Sequence, residues 1–201
     1  MARLVREHIT DCNNDESIGA VVLTGAGRGF CSGADLQRPQ AEGGQRPPPE
    51  PEQESLPEFL QRSKPLIAAI NGAAVGVGFT LPLACDIRIA SERARFAELF
   101  IKRGLVSDIG GLLRLPQIVG PSKAAELLFT GDVIDAKEAE RIGLVSQVVP
   151  HSELLPTARA LCAKIAANPP LALRSMKEGL RRARLSDPHE LGGWVSQTLG
   201  V

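Results

Sequence analysis

The order of apolar and polar positions predicts strands mixed with helices in the first half of the chain and mostly helices in the second. Continuous apolar runs at 19–24 and 66–70 suit strands buried on both faces, and the alternating run at 86–91 suits a third strand. Apolar residues at helical spacing from Leu4 to Cys12 predict an amphipathic helix at the start of the chain. We therefore predict an α/β core over residues 1–150, followed by a helical region over 151–201.

Further helices are predicted where helical spacing is bounded by a cap, a glycine or a proline. These helices are expected at 56–62, 79–84, 112–119, 122–130, 135–142 with Asp135 as N-cap, and 154–166. Short extended segments are expected at 95–100 and 144–149. A last helix carries the apolar residues Leu173, Met176 and Leu180, and we expect an exposed basic set of Lys177, Arg181, Arg182 and Arg184.

The chain is organised around residues 66–86, LIAAINGAAVGVGFTLPLACD. The apolar run is followed by the turn Asn71-Gly72, by Gly76 and Gly78, and then by a predicted helix. The first N–H groups of a helix have no partner within it and favour negative charge, either a phosphate or a carbonyl oxygen that becomes negative during a reaction. The alternative is a glycine-rich connection between a strand and a helix, with no ligand.

The composition excludes several classes of partner. The 201 residues include 23 basic and 23 acidic side chains and no tyrosine, which argues against nucleic acid. No apolar stretch reaches about 18 residues and the N-terminus is unlike a signal peptide, so we predict a cytoplasmic protein with no membrane partner. The four cysteines have no C-x-x-C spacing, and we expect them to be reduced, small hydrophobic residues and not metal ligands.

Two further segments carry no recognisable catalytic pattern. Cys31 or Ser32 in FCSGADL, residues 30–36, could be proposed as a nucleophile, but the flanking residues do not form G-x-S-x-G, and a tight turn is the preferred interpretation. Residues 37–57 combine six prolines with Glu, Gln and Gly, which predicts a flexible loop.

Three ordered segments together resemble the crotonase superfamily, the enoyl-CoA hydratase/isomerase family. They are VVLTGAGRGFCSGADL at 21–36, KPLIAAINGAAVGVGFTLPLACDIRIAS at 64–91 and FAELFIKRGLVSDIGGLLRLPQIVG at 96–120. The resemblance implies a spiral of ββα units, a homotrimer or hexamer, and an acyl-CoA thioester as substrate, so that coenzyme A belongs to the substrate and no separate cofactor is expected. It also implies a chain shortened at both ends, since family members begin with a strand pair and finish with further helices.

In this family two backbone N–H groups hold the thioester oxygen, and the resemblance assigns them to Ala34 and Val77. Removing a proton next to a thioester places negative charge on that oxygen, and one such donor contributes roughly 3 to 4 kcal/mol where its loss has been measured. The remaining residues that the resemblance assigns to substrate binding are Gly33, Asp35, Leu36, Gly76, Gly78, Thr80 and Phe100.

The proton-transfer residues depart from the hydratase pattern. Thr80 and Phe100 stand where hydratases of the family have two glutamates, which argues against efficient hydration. Asp108 stands where isomerase-like members have an acidic residue, and we predict that it moves a proton between carbons of the acyl chain, its basicity raised by an apolar pocket containing Phe100. The alternative is that Asp108 only caps the next helix. Glu98 is a weaker candidate acid, expected to be exposed.

Three functions are left open by the sequence. The first is an acyl-CoA enzyme that favours isomerisation over hydration. The second is a member of the family that binds acyl-CoA without turning it over, and the third is a self-associating scaffold with no ligand.

Overall fold

The structure is a computed structural model that describes residues 1–34, 54–108, 110–184 and 187–199. Its strands are β1 (Val21–Thr24), β2 (Leu66–Ile70), β3 (Ala73–Val75), β4 (Ile87–Ser91), β5 (Arg95–Ala97), β6 (Val133–Asp135) and β7 (Gln147–Val149). Its α-helices are α1 (Ala2–Asn14), α2 (Leu56–Arg62), α3 (Val77–Thr80), α4 (Leu115–Val119), α5 (Pro121–Thr130), α6 (Ala136–Arg141), α7 (Leu154–Ala166), α8 (Pro170–Arg182) and α9 (Pro188–Leu199). Within these residues, no helix is both long and apolar enough to cross a membrane.

The strands form two sheets that the chain visits in turn. One sheet is entirely parallel, in the order β1-β2-β4-β7, and the other has the order β3-β5-β6 with β6 antiparallel to β5. β2 is followed directly by β3, and β4 by β5, so these two circuits of the chain each add one strand to each sheet. This is the predicted crotonase-like α/β spiral, and α7 packs against its parallel sheet.

The continuous apolar run in β2 is buried on both faces, as its sequence predicted. Leu66, Ala68 and Ile70 pack into the main core, whereas Ile67 and Ala69 pack into a second cluster with Leu154 and Ala158 of α7. All five β2 side chains are fully buried. β2 is therefore the central strand, and the residues that follow it are held on a rigid base.

Several predicted elements differ from those observed. The helix expected at 79–84 begins earlier, as the single turn α3, and continues as a 3₁₀ turn, Leu81–Ala84, because Pro82 supplies no N–H. The helix expected at 112–119 is a π-helical segment, Gly110–Arg114, that leads into α4. The extended segments at 95–100 and 144–149 shorten to β5 and β7, and α9 was not predicted at all. Residues 37–53 of the predicted proline-rich loop lie outside the described residues.

The prediction for α8 was wrong at its basic face. Lys177 is 8% exposed, while Met176 and Leu180 are 69% and 63% exposed. The Lys177 ammonium donates to the backbone oxygens of Leu60 and Lys64, at 3.0 Å each, and to Asp86 Oδ2 at 2.8 Å. The three acceptors lie in α2, just after it and just before β4. They, and not the apolar spacing, determine which face of α8 turns inward.

Candidate active site

Two neighbouring circuits of the spiral bring the predicted donor segments together. Cys31 forms an isolated parallel bridge with Ala74 of β3, so residues 31–34 run beside the end of β3 and the start of α3. Gly33 has φ +93°, and a Cβ built on it would lie 2.9 Å from the Val75 oxygen and 3.7 Å from the Val77 nitrogen. A side chain would therefore separate the two segments, and glycine allows their backbones to approach closely.

The turn between β3 and α3 directs backbone N–H groups away from the helix. Gly76 has φ +55°, its N–H donates to Ala97 O at 3.0 Å, and its oxygen accepts from the N–H groups of Phe79 and Thr80. Within the described part of the chain, the N–H groups of Val77 and Ala34 have no hydrogen-bond acceptor. The assignment of these two N–H groups to an oxyanion hole stays a prediction.

Close contact between the two circuits also involves Gly78. A Cβ at Gly78 would overlap the carbonyl oxygen of Cys31, which cannot move without breaking its bond from the Val75 N–H. The predicted substrate-binding residues Gly33, Gly76 and Gly78 thus lie together with Val77, the predicted donor. Asp35 and Leu36, which follow Ala34, lie outside the described residues.

Thr80 connects this turn to Asp108. The Thr80 hydroxyl donates to Asp108 Oδ2 at 2.7 Å and lies 3.3 Å from the Val77 oxygen. Thr80 is buried and Asp108 is half-buried. Residues 28 positions apart in sequence therefore place a carboxylate next to the α3 turn, which the sequence could suggest only through family resemblance.

Asp108 also caps the helical segment that follows it. Its Oδ1 atom accepts from the Gly111 N–H at 3.2 Å, and its backbone oxygen accepts from the Leu112 N–H at 3.0 Å. The capping interpretation of Asp108 is therefore confirmed as geometry. It uses Oδ1, whereas Oδ2 faces Thr80, so capping does not prevent the carboxylate from acting as a base. Ile109, between these residues, lies outside the described part.

Phe100 occupies a turn that leads from β5 towards Asp108. It is half-buried, and its backbone oxygen accepts from the N–H groups of Arg103 and Leu105, at 2.9 Å and 3.0 Å. The hydrogen bond from Leu105 closes a turn over residues 100–105, shortly before Asp108 in the chain. The hydrogen-bond partners of the Asp108 carboxylate are the Thr80 hydroxyl and the backbone N–H of Gly111.

Glu98 was expected to be exposed, and this expectation was wrong. It is 2% exposed, directly after β5, and its Oε1 accepts a hydrogen bond from the Ser107 hydroxyl. The pKa of Glu98 is raised to about 7, chiefly by burial; the hydrogen bond from Ser107 lowers it and the neighbouring charge of Asp108 raises it. Nothing in the local pattern marks this residue, because a glutamate at the end of a short strand is usually at the surface.

A separate concavity lies away from these residues. A cavity of about 850 Å³ is bounded by the end of α1, by α2 and by α8, and its lining includes Arg62, Lys64 and Arg174. None of the described residues predicted for the site contributes to it. The candidate site is therefore identified by its donors and carboxyl groups and not by the size of a cavity.

The fold and these paired circuits define a class of protein. A model of the enoyl-CoA hydratase/isomerase family matches residues 4–191, and the chain belongs to this family.

Some proteins similar to this chain are named hydratase, and one is named isomerase. The short-chain-enoyl-CoA hydratase of Clostridium acetobutylicum is 38% identical over 197 residues, which cover 96% of this chain and 75% of that protein. The structure of an enoyl-CoA hydratase from Bacillus anthracis superposes with a TM-score of 0.87 at 33% identity, covering 99% of this chain and 78% of that one. A monofunctional enoyl CoA isomerase from M. smegmatis superposes with a TM-score of 0.78 at 35% identity, covering 94% of this chain and 83% of that one.

Proposed function

We propose that the chain binds an enoyl-CoA or related acyl-CoA thioester and moves a proton along its acyl group, with isomerisation favoured over hydration. The observation that carries this proposal is the 2.7 Å hydrogen bond between Thr80 and Asp108. This hydrogen bond joins the turn that supplies the Val77 N–H to a half-buried carboxylate. Thr80, its donor, stands where a hydratase would need a carboxylate.

The proposed chemistry divides between backbone and side chain. The N–H groups of Ala34 and Val77 hold the thioester oxygen and stabilise the negative charge that develops there when a carbon next to the carbonyl, or conjugated with it, loses its proton. Asp108 accepts that proton and returns it to another carbon, which shifts the double bond without adding water. Threonine cannot exchange a proton near neutral pH, so Thr80 transfers none. Its hydrogen bond orients the Asp108 carboxylate instead.

The proposal is tested with a small panel of 2-enoyl-CoA and 3-enoyl-CoA thioesters in deuterated water. We expect deuterium to enter the acyl chain and double-bond isomers to interconvert, with hydration slower on the same substrates. Hydration is followed in parallel because relatives are named hydratase as well as isomerase. Hydration that outpaces exchange and isomerisation across the panel would contradict the isomerase preference.

The same panel separates the two other functions that the sequence left open. An acyl-CoA binder without turnover would be stabilised against thermal unfolding by the thioesters but would show no exchange, since any ligand selective for the folded state raises its stability. A scaffold with no ligand would show neither effect at saturating thioester.

Replacing Gly33 with alanine should damage the oxyanion hole. The residue has φ +93°, which alanine rarely adopts, and its Cβ would press on the Val75 oxygen at 2.9 Å. Loss of one aimed donor costs about 10²- to 10³-fold in turnover, and we expect kcat for exchange to fall by that order. Gly29→Ala is the matched control, because its nearest neighbour is the Ala73 oxygen at 3.8 Å. Equal kcat values for both variants would contradict the assignment.

The predicted homotrimer or hexamer remains part of the proposal. Three apolar side chains outside the two cores, Val106, Phe129 and Val133, are 78%, 77% and 61% exposed. Contact with another copy of the chain would remove such surface from water, which is the usual driving force for association.

A further inference from the structure

Glu98 is a buried carboxyl group with an incomplete set of partners. Its exposure is 2%, the Ser107 hydroxyl donates to its Oε1, and its Oε2 has no hydrogen-bond partner among the described residues. An ionised carboxylate in such surroundings is costly unless it is paired. Burial therefore favours the protonated form of the Glu98 carboxyl group, and Oε2, which has no partner, can carry the proton.

The Glu98 carboxyl shares its surroundings with Asp108. A Cβ at Gly111 would overlap both Glu98 Oε1 and Ser107 Oγ, while the N–H of the same glycine donates to Asp108 Oδ1 at 3.2 Å. Ser107 and Asp108 are consecutive residues, so one short segment contacts both carboxyl groups. Two carboxyl groups this close repel each other when both are ionised, and their protons are then shared as a pair.

Among the described residues, two basic groups on the elements next to this pair, Arg114 and Lys102, have other partners. Arg114, on the same π-helical segment as Gly111, donates to Gln61 of α2. Lys102, on the 3₁₀ turn after Glu98, lies 3.8 Å from Asp132 at the surface. Asp108 is the charged neighbour whose effect on the Glu98 pKa is resolved, and it acts in the same direction as burial.

We propose that Glu98 is a positioning residue that tunes Asp108 through Ser107 and Gly111. While Glu98 is protonated, no negative charge at Glu98 acts on the Asp108 carboxylate. When Glu98 ionises, the repulsion between the two carboxylates is relieved if Asp108 takes up a proton, so Asp108 becomes a stronger base. This inference depends on the proposed function for its catalytic consequence, but the coupling of the two carboxyl groups can be measured without any substrate.

The catalytic consequence is tested by the pH profile of deuterium exchange. With a Glu98 pKa of about 7, the exchange rate of the parent should rise as pH increases through that value. A stronger base accelerates proton transfer by a fraction of its gain in proton affinity, and we expect a rise of roughly three- to tenfold. Glu98→Gln should remove this rise, whereas Glu153→Gln, at an exposed carboxylate, should keep it. A rise that persists in Glu98→Gln overturns the proposal.

The coupling is tested by the free energy of unfolding as a function of pH. The folded-state pKa of Glu98 is raised above its ordinary value of 4.5, so its contribution to stability is complete below 4.5 and is lost as pH rises through about 7. Asp108→Asn removes the neighbouring charge and should move this loss to lower pH, and Ser107→Ala removes a hydrogen bond and should move it to higher pH. If Asp108→Asn does not move it, the pair is not coupled and the proposal fails.

These two measurements keep the proposals apart. A protein without exchange on any thioester, but with the expected movements of the stability profile, would overturn the proposed function and retain the carboxyl pair. Exchange that continues with an unchanged pH profile in Glu98→Gln would retain the proposed function and reject the role of Glu98. If Glu98→Gln does not fold, Ser107→Ala answers the same question, because its exchange rate should then rise at a higher pH than in the parent.

Discussion

Replacing Asp108 with asparagine should reduce deuterium exchange into enoyl-CoA thioesters by about 10²- to 10⁴-fold, the usual contribution of a positioned acid or base. The substitution separates the two roles that the structure gives this side chain. The asparagine amide oxygen can still accept from the Gly111 N–H, and asparagine is as good an N-cap as aspartate. The thermal stability should therefore change little while the chemistry is lost.

The matched control for this prediction is Asp132→Asn. Asp132 is exposed and lies 3.8 Å from Lys102, where a surface ion pair contributes little. We expect Asp132→Asn to exchange deuterium at the rate of the parent, as measured by mass spectrometry of the recovered thioester. If Asp108→Asn exchanges as fast as the parent, Asp108 is only a cap and another group must be the base.

Among the substitutions proposed for this chain, Lys177→Met should lower the free energy of unfolding most. The substitution leaves the Leu60 and Lys64 carbonyl oxygens without their donor and Asp86 without its ion pair. Breaking a buried pair from one side costs about 3 to 5 kcal/mol, and we expect roughly 2 to 4 kcal/mol here because the Asp86 side chain retains 32% exposure to water. Asp86 Oδ2 also accepts from the Leu66 N–H at 2.8 Å, so the start of β2 should be loosened as well.

Denaturation in urea measures this loss, with Arg174→Met as the control. Arg174 is an exposed basic residue on the same helix, and its replacement alters charge and helix propensity to a similar extent. We expect the control to lie within about 0.5 kcal/mol of the parent, as surface substitutions usually do. A similar small change for Lys177→Met would show that the three hydrogen bonds of its ammonium do not stabilise α8.

The sequence predicted best those features that depend on local patterns. The bounds of β2 and α2 and the N-cap at Asp135, whose side chain accepts from the Glu138 N–H at 2.8 Å, follow from apolar runs and capping residues that act within a few positions. Predicting the spiral required the family resemblance, since no local pattern in the sequence indicates which strands pair. The burial of Lys177 could not be predicted, because its acceptors lie 91 to 117 positions away along the chain.

The candidate site shows the same division. The family resemblance assigned Ala34, Val77 and Asp108 to the site, but the hydrogen bond from Thr80 to Asp108 depends on how α3 meets the segment before the π-helix. Glu98 was misjudged for the same reason. Whether a glutamate is buried is decided by the residues that pack over it, here Ser107 and Gly111, and these become neighbours only when the chain folds.

The two proposed donors are main-chain atoms, and this has a consequence for how such a site changes in evolution. The side chains of Ala34 and Val77 are exposed and half-buried, so either can be replaced without removing an N–H group. Gly33 and Gly78 carry no donor that is assigned here, yet the backbone contacts between the circuits leave no space for a Cβ at either position. Selection for the reaction should therefore act on the glycines beside the donors, while the donor positions remain free to drift and to reshape the pocket for a different acyl group.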